Sequence, residues 1–460
     1  MKIKSRLYIS TLAEYQTAFW INVSKELFNE ELDLVFLSFD DRSSEMLAQA
    51  NISFHDIPKL SKIKSKEIKN IEFKKELFNT NNINGLILHE RLTFDINDTI
   101  NLKKKLFLYT ECLNEIFKNS LSKDINSILI QELGGFLSVI ACFKAARLNN
   151  IDNYFIEPSF FRGRIFLTKN SFNAPKIESK TAQEILPEVK DYLKKCLEDN
   201  ELVIPKKDKH QYTSSIKKIL KFSVFKRLIT KIIDKYFLKK HQEFGYIYKY
   251  VSLHLIAIYN SFFLKKHYAS LKDLDKFIYF PLHVPADVAL TIRSPEYLDQ
   301  ISLVEYLCSI VEEDIKVVIK EHPAQIGTSD LSRIKRLLRK YDNIFLLDPS
   351  TNNYKVMSKC KSVVTINSKS GAEGILLNKP IFVLGNAFYN DSPFVCNIQN
   401  LKDLKHALNS PPLTNKNNFS DIENYFQNLW DKTMPGELYV SDVKDIQNIT
   451  DSIKNLLEKT

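Results

Sequence analysis

The chain has 460 residues, 65 Lys+Arg against 55 Asp+Glu, six cysteines and ten glycines, with 44% hydrophobic and 26% charged residues. These proportions exclude a disordered chain, a collagen-like repeat and a polytopic membrane protein. The length predicts about three domains, with a core large enough to need no disulfide or structural metal. The formal charge of +10 is local: twelve basic and three acidic residues lie between Lys206 and Phe244, leaving the rest of the chain close to neutral.

Residues 1–175 alternate short apolar runs with helical patterns. The runs at 7–10, 34–38, 85–89 and 125–131 read as buried strands ending in polar residues, and 14–27 has helical periodicity. This βαβ rhythm predicts a parallel sheet covered on both faces. Over 176–275 strands give way to a helical, Lys-rich connector. Its longest apolar run, 250–264, is interrupted by His254, Asn260 and Ser261 and falls short of the ~20 residues of a membrane span. Five further strands are predicted at 277–281, 315–320, 343–347, 362–366 and 380–384, with helices near 298–313, 329–341, 352–359 and 370–378. Closing helices are expected near 418–430 and 440–457. The expected domains are therefore 1–175, the connector 176–275, a second unit 276–415, and closing helices 416–460.

The cysteines (112, 142, 196, 308, 360 and 396) are dispersed, with no CxxC and no Cys/His spacing for zinc. No secretory hydrophobic region follows Met1. Both features point to a reducing cytoplasm.

In doubly wound folds ligands bind beyond the carboxyl ends of the strands. Six of the ten glycines sit at two such ends: Gly134, Gly135 and Gly163 in the first half, and Gly371, Gly374 and Gly385 in the second. Glycine there serves a turn or close approach by a ligand. In VTINSKSGAEGIL (364–376) a strand ends in Asn367, Ser368, Lys369, Ser370 and Gly371 before a helix begins. Free amides at that terminus, two hydroxyls and one ammonium suit a phosphate, and Glu373 could accept from ribose hydroxyls. A Ser370–Glu373 capping box is the purely structural alternative. VVIKEHP (317–323) delivers Lys320 and His322 to a strand end, where they suit a donor phosphate or carboxylate. FPLHVPAD (280–287) does the same with His283 and Asp287. In the first half YFIEPSFFRGR (154–164) places Glu157, Arg162 and Arg164 past an apolar run, and Glu132 ends the run before it. Arg162, Arg164, Glu132 and His283 are candidate substrate contacts.

The succession of FPLHVPAD, VVIKEHP and TINSKSGAEGILLNKPIFVLG resembles the bacterial capsule polysaccharide biosynthesis family, which includes β-Kdo glycosyltransferases. The likeness is densest over 277–390, patchier over 125–175, and not visible over 176–275. It implies an α/β, GT-B-like fold of two Rossmann-like doubly wound domains joined by a helical basic connector. It also implies a transferase using a CMP-activated sugar, CMP-Kdo above all, with a lipid or glycan acceptor and no cofactor. By the same resemblance His322 and the Ser368/Ser370/Glu373 loop match the nucleotide site, Asp287 the catalytic aspartate, and Glu157 a second active-site carboxylate. His283, where the family often has Gln, and Lys369 depart from its pattern.

Chemistry agrees with that implication. A CMP-sugar leaves with a single phosphate, which cationic side chains and amides can neutralise without a metal. The Asp273-Leu-Asp275 triplet precedes a strand and reads as surface. A retaining course would use Asp287 as nucleophile and Glu157 as acid/base or acceptor-positioning group. Other nucleotide donors of the sialyl or CDP-polyol kind, and a non-catalytic assembly factor, are the alternatives. The basic segment 206–244 alternates apolar and cationic residues at helical spacing. It fits either an anionic inner-membrane surface or a face packed on the protein. No nucleic-acid-binding pattern accompanies it.

Overall fold

The computed structural model describes residues 4–27, 31–67, 82–120, 125–178, 180, 184–200, 204, 206, 222–409 and 418–459. Two seven-stranded sheets organise the chain. The first runs β14-β6-β5-β4-β1-β2-β3, with β1 Ser5–Thr11, β2 Leu32–Ser38, β3 Phe54–Asp56, β4 Asn126–Glu132, β5 Asp152–Pro158, β6 Arg164–Lys169 and β14 Met434–Pro435. The second runs β13-β12-β11-β8-β9-β10-β7, with β7 Tyr268–Ala269, β8 Phe277–Pro281, β9 Lys316–Lys320, β10 Ile344–Leu347, β11 Ser362–Thr365, β12 Ile381–Val383 and β13 Val395–Asn397. All pairings are parallel except β5/β6 and β6/β14. Both sheets reverse strand order at one point, between β1 and β4 and between β8 and β11, as doubly wound sheets do. This is the α/β, GT-B-like architecture expected above.

Strand alternation divides each sheet's apolar residues between two cores. In β1, Leu7 and Ile9 face the helices Glu14–Leu27 and Val443–Lys459, while Tyr8 faces Thr99–Ser120 and Leu137–Leu148. In the second sheet Ile278 and Phe280 enter one core, and Phe277 and Tyr279 the other. The chain crosses back at its end: Ile422, Tyr425, Phe426 and Leu429 pack in the second unit's core, whereas Ile449, Ile453 and Leu456 pack in the first's.

Two sequence expectations are corrected. Residues 85–89 are not a strand but parts of the helices Ile83–Leu86 and Leu88–Thr93. Asn82 caps the first, accepting from the Gly85 amide at 3.0 Å, and the edge position in the sheet belongs to β3. An apolar run as short as Leu86-Ile87-Leu88 does not distinguish a buried strand from a helical face. The connector is also not free of strands, because β7 pairs with β10.

Of the basic segment 206–244, residues 207–221 lie outside the described residues. The helix Phe222–Ile232 continues into one π-helical turn, Ile233–Phe237. Its end is fixed to the first unit by Arg42, whose guanidinium donates to both oxygens of Asp234 at 2.6 and 2.8 Å. A buried network follows. Lys105 Nζ lies 3.0 Å from Glu90 Oε1 and 3.0 Å from Glu243 Oε1, and the Tyr246 hydroxyl donates to Glu90 at 2.9 Å.

Candidate functional site

The second sheet's switch point brings three predicted segments together. Beyond β8, His283 receives the Asn367 amide at Nε2 (3.5 Å), and Asn367 follows β11. The Asn367 side-chain amide donates to Ala289 O at 2.6 Å and to Ser294 Oγ at 3.1 Å, while its buried Oδ1 has no donor among the described residues. Beyond β9, His322 Nδ1 accepts from the Ala324 amide at 3.2 Å and lies close enough to His283 to disfavour its protonation. Asp287 caps the short helix Val288–Thr291, accepting from the Ala289 amide at 2.8 Å.

A second cluster forms beside it. Lys320 is buried and donates to Thr351 O at 3.0 Å. Asn353 holds Ser370 Oγ at 2.9 Å and Glu373 Oε2 at 3.2 Å, and takes the Tyr279 hydroxyl on its own oxygen at 3.0 Å. The capping box does not form. Lys369 is the N-cap, the Ser370 amide donates to Ser368 Oγ at 3.2 Å, and Glu373 turns inward to Asn353. The helix Ser370–Leu376 has only seven residues, so its dipole adds little; hydroxyls and ammonium groups carry the local chemistry. Gly371 lies under the Tyr389 ring, where a Cβ would collide. The close approach it permits is therefore by that ring.

The first unit closes the site from the other side. Glu157, on β5, is gripped by Arg293 through two hydrogen bonds of 2.6 and 3.0 Å, and Arg293 also donates to Phe172 O at 2.8 Å. His89 Nδ1 lies 2.7 Å from Thr291 Oγ1, with Gly135 packed against its ring. Lys369 Nζ donates across the junction to Ser159 O at 2.9 Å. Asp287 thus sits within electrostatic reach of one histidine from each unit, His89 and His283.

Burial sets the protonation of these groups. It lowers both His89 and His283 to about 4, against the opposing pull of Asp287, so both imidazoles are neutral at pH 7. It lowers Lys320 to about 8, against Glu373 and Asp348. It raises the Glu373 carboxyl, which Asn353, Lys320 and Lys369 partly offset.

Two other candidates, Arg164 and Glu132, are held by partners outside this cluster. Arg164 stacks over Trp430 at 3.9 Å and donates to Thr433 Oγ1, Thr433 O and Trp430 O, so its guanidinium fastens the last helices to β6 instead of facing a substrate. The Arg162 backbone amide donates to the Tyr192 hydroxyl oxygen at 3.0 Å. Glu132 accepts from Gln16 at 3.0 Å and Tyr439 at 2.8 Å. It pairs in register with Ile156, so alternation puts it on the opposite sheet face from Glu157. Asp275 is exposed and paired with Lys316 on the surface. No group of three or more His, Cys, Asp or Glu suited to a metal occurs among the described residues.

Sequence reasoning missed His89, Thr291, Arg293 and Asn353. Only His89 carried a signal, as a histidine ending an apolar run.

A family model described as "Capsule polysaccharide biosynthesis protein" matches residues 145–417. Among curated proteins, Protein FixF of Sinorhizobium fredii is 30% identical over 134 residues, 29% of this chain and 32% of that protein. Capsule polysaccharide modification protein LipB of Neisseria meningitidis is 29% identical over 163 residues, 34% of this chain and 38% of its own length. The chain thus matches about a third of these relatives' lengths. Of solved structures, the beta Kdo 2,4 transferase of Thermosulfurimonas dismutans KpsC aligns with TM-score 0.33 at 12% identity, covering 66% of this chain and 79% of that one. Anabaena HepE in complex with UDP-glucose aligns with TM-score 0.34 at 11% identity, covering 99% and 100%. With a family model matching more than half of its length, the chain belongs to the capsule polysaccharide biosynthesis family.

Proposed function

We propose that the protein is a glycosyltransferase of capsule or surface polysaccharide assembly, moving a sugar from a nucleotide donor to a lipid-linked or glycan acceptor, with CMP-Kdo as donor. One observation carries the reading: Asp287, at the second unit's switch point, is within electrostatic reach of a neutral histidine from each unit, beside buried Lys320 and Glu373 and the Asn353 amide that holds Glu373. A nucleotide with one phosphate fits that cluster. Lys320, Lys369 and the Ser368 and Ser370 hydroxyls meet the phosphate, Glu373 meets ribose hydroxyls, and no metal is called on.

In this reading Asp287 attacks the anomeric carbon as the bond to the CMP phosphate breaks, and the acceptor hydroxyl then displaces it. The departing hydroxyl proton goes to the neutral imidazole of His89, whose Nδ1 is engaged by Thr291 and whose Nε2 is left to accept. Both oxygens of Glu157 are taken up by Arg293, which favours the acceptor-positioning role over the acid/base role. Peripheral attachment at the inner membrane face through 206–244 belongs to the same reading, since a lipid-linked acceptor would be met there.

Release of CMP from CMP-Kdo in the presence of lipid or glycan acceptors tests this. Turnover of a CDP-polyol or CMP-sialic acid instead would replace the donor. Nucleotide binding without turnover of any donor would leave a non-catalytic assembly factor.

A further inference from the structure

The helix Ile247–Leu264 is built inside out. Amphipathic helices of globular proteins turn their apolar stripe to the core. This one buries Ile247, Ala257, Asn260 and Leu264 and exposes Tyr248 (76%), Leu255 (60%), Ile256 (54%), Tyr259 (60%) and Phe262 (65%). At about 100° per residue those five positions occupy about one third of the circumference.

Between the apolar anchors Ile247 and Leu264 at its ends, the inner seat is made by small and polar groups. Asn260 donates to Gly327 O at 3.0 Å and Ser329 O at 3.3 Å, and Gly327, at φ +79°, lies so close to the Ala257 carbonyl that no side chain fits. The outward apolar side is therefore built in by the way the helix is docked. Beside it, Ile229, Ile233, Tyr236, Phe237 and Leu238 are also exposed.

Charge identifies the occupant. Between residues 226 and 266 there are nine Lys or Arg and two acids, and both acids are buried: Asp234 on Arg42 and Glu243 on Lys105. Lys226, Arg227, Lys239, Lys265 and Lys266 are exposed around the apolar residues, and Lys266 Nζ stands 5.8 Å from the Phe262 ring centre. A second copy of the chain meeting this face by two-fold symmetry would set these cations against each other. A bilayer of anionic lipid offers an apolar phase for the aromatic and aliphatic side chains and negative headgroups for the rim.

We propose that the outer face of the helix Ile247–Leu264, with the adjoining residues 229–238, seats the protein on an anionic lipid surface. The helix starts in the first unit, where Lys249 pairs with Asp95 at 2.9 Å, and ends in the second unit's core at Leu264. Seating it orients both units at once. The surface takes in residues 226–239 of the 206–244 segment and extends it to the helix Ile247–Leu264; it rests on the membrane attachment proposed above and does not depend on which donor is used.

Co-sedimentation of the full chain with vesicles containing phosphatidylglycerol or pure phosphatidylcholine tests the proposal. The wild type should partition to the anionic vesicles at least about tenfold better, and Tyr259→Asp/Phe262→Asp should remove at least about tenfold of that binding. CMP binding should persist in the double variant, which separates this outcome from failure of the enzymatic reading. Should the double variant misfold, Tyr259→Trp supplies an independent readout: its fluorescence should be quenched by brominated phosphatidylglycerol. Equal partition to both vesicles, unaltered binding by the aspartate variant, no quenching, or a dimer that the aspartate variant dissolves would each overturn it.

Discussion

Arg293 Nη1 and Nη2 hold the two oxygens of Glu157 at 3.0 and 2.6 Å, joining the second unit to the first at the candidate site. The two side chains keep only 9% and 15% of their exposure, so each is committed to the other in a low-dielectric setting. Removing one partner strands the other charge. Arg293→Ala or Glu157→Ala should cost about 3 kcal/mol in denaturant unfolding, and Arg293→Leu/Glu157→Leu should recover part of that loss. Unchanged unfolding midpoints in the single variants would show that the pair does not couple the units.

Asp287 has two roles that substitutions can separate. As a helix cap it accepts from the Ala289 amide, which asparagine can also do. Asp287→Asn should keep the melting temperature while transfer falls by about a thousandfold or more, and Asp287→Ala should lose about 1 kcal/mol of stability as well. Transfer by Asp287→Asn near the wild-type rate would end the nucleophile assignment.

The buried histidines give stability a defined pH dependence. His89 and His283 are held at about 4 when folded, against about 6.5 in the unfolded chain. Between those values the unfolded chain binds protons that the folded chain does not, so stability is complete above pH 6.5 and falls as pH drops toward 4. Each histidine contributes at most about 1.4 kcal/mol per pH unit. Urea unfolding at pH 7 and pH 5 should show the drop, and His283→Gln should remove about half of it.

Lys320, at about 8, is protonated at neutral pH and loses its charge above that value. If its ammonium meets the donor phosphate, CMP affinity of the free protein should weaken as pH rises beyond 8. Lys320→Met should bind weakly at every pH and show no such dependence, as titration calorimetry across pH 7–9.5 (about the range that spans this group) would reveal. A wild-type profile flat over that range would remove Lys320 from the donor site.

The strand ends of the second unit were legible because parallel strands buried on both faces read as unbroken apolar runs, and a polar residue just past such a run has one place to go. That logic located His283, Asp287, His322 and Asn367. It could not say where a long side chain turns next. Arg164 and Glu157 stand seven residues apart in sequence, yet one guanidinium is consumed by Trp430 and Thr433 while the other residue's carboxylate waits for Arg293. Both partners come from more than a hundred residues away, and no local pattern encodes them. The glycine windows were visible, but their occupants were not: rings of His89 and Tyr389 fill the space at Gly135 and Gly371. The helical state of 83–93 was hidden because an apolar run as short as Leu86-Ile87-Leu88 satisfies either periodicity.

The last strand of the first sheet, β14, pairs with β6 from residues 434–435, and the helix Val443–Lys459 covers the face beneath Phe19 and Trp20. Synthesis proceeds from the amino end at about 5–20 residues per second, so the first unit waits for the entire second unit before its own edge and floor arrive. Until then an open strand edge and an uncovered apolar face are exposed to solvent and to other nascent chains. A ribosome stalled anywhere between residues 170 and 430 would carry an unfinished domain, and a stop codon before residue 443 would leave it so permanently. The amino-terminal half is thus the first to be made and the last to be completed.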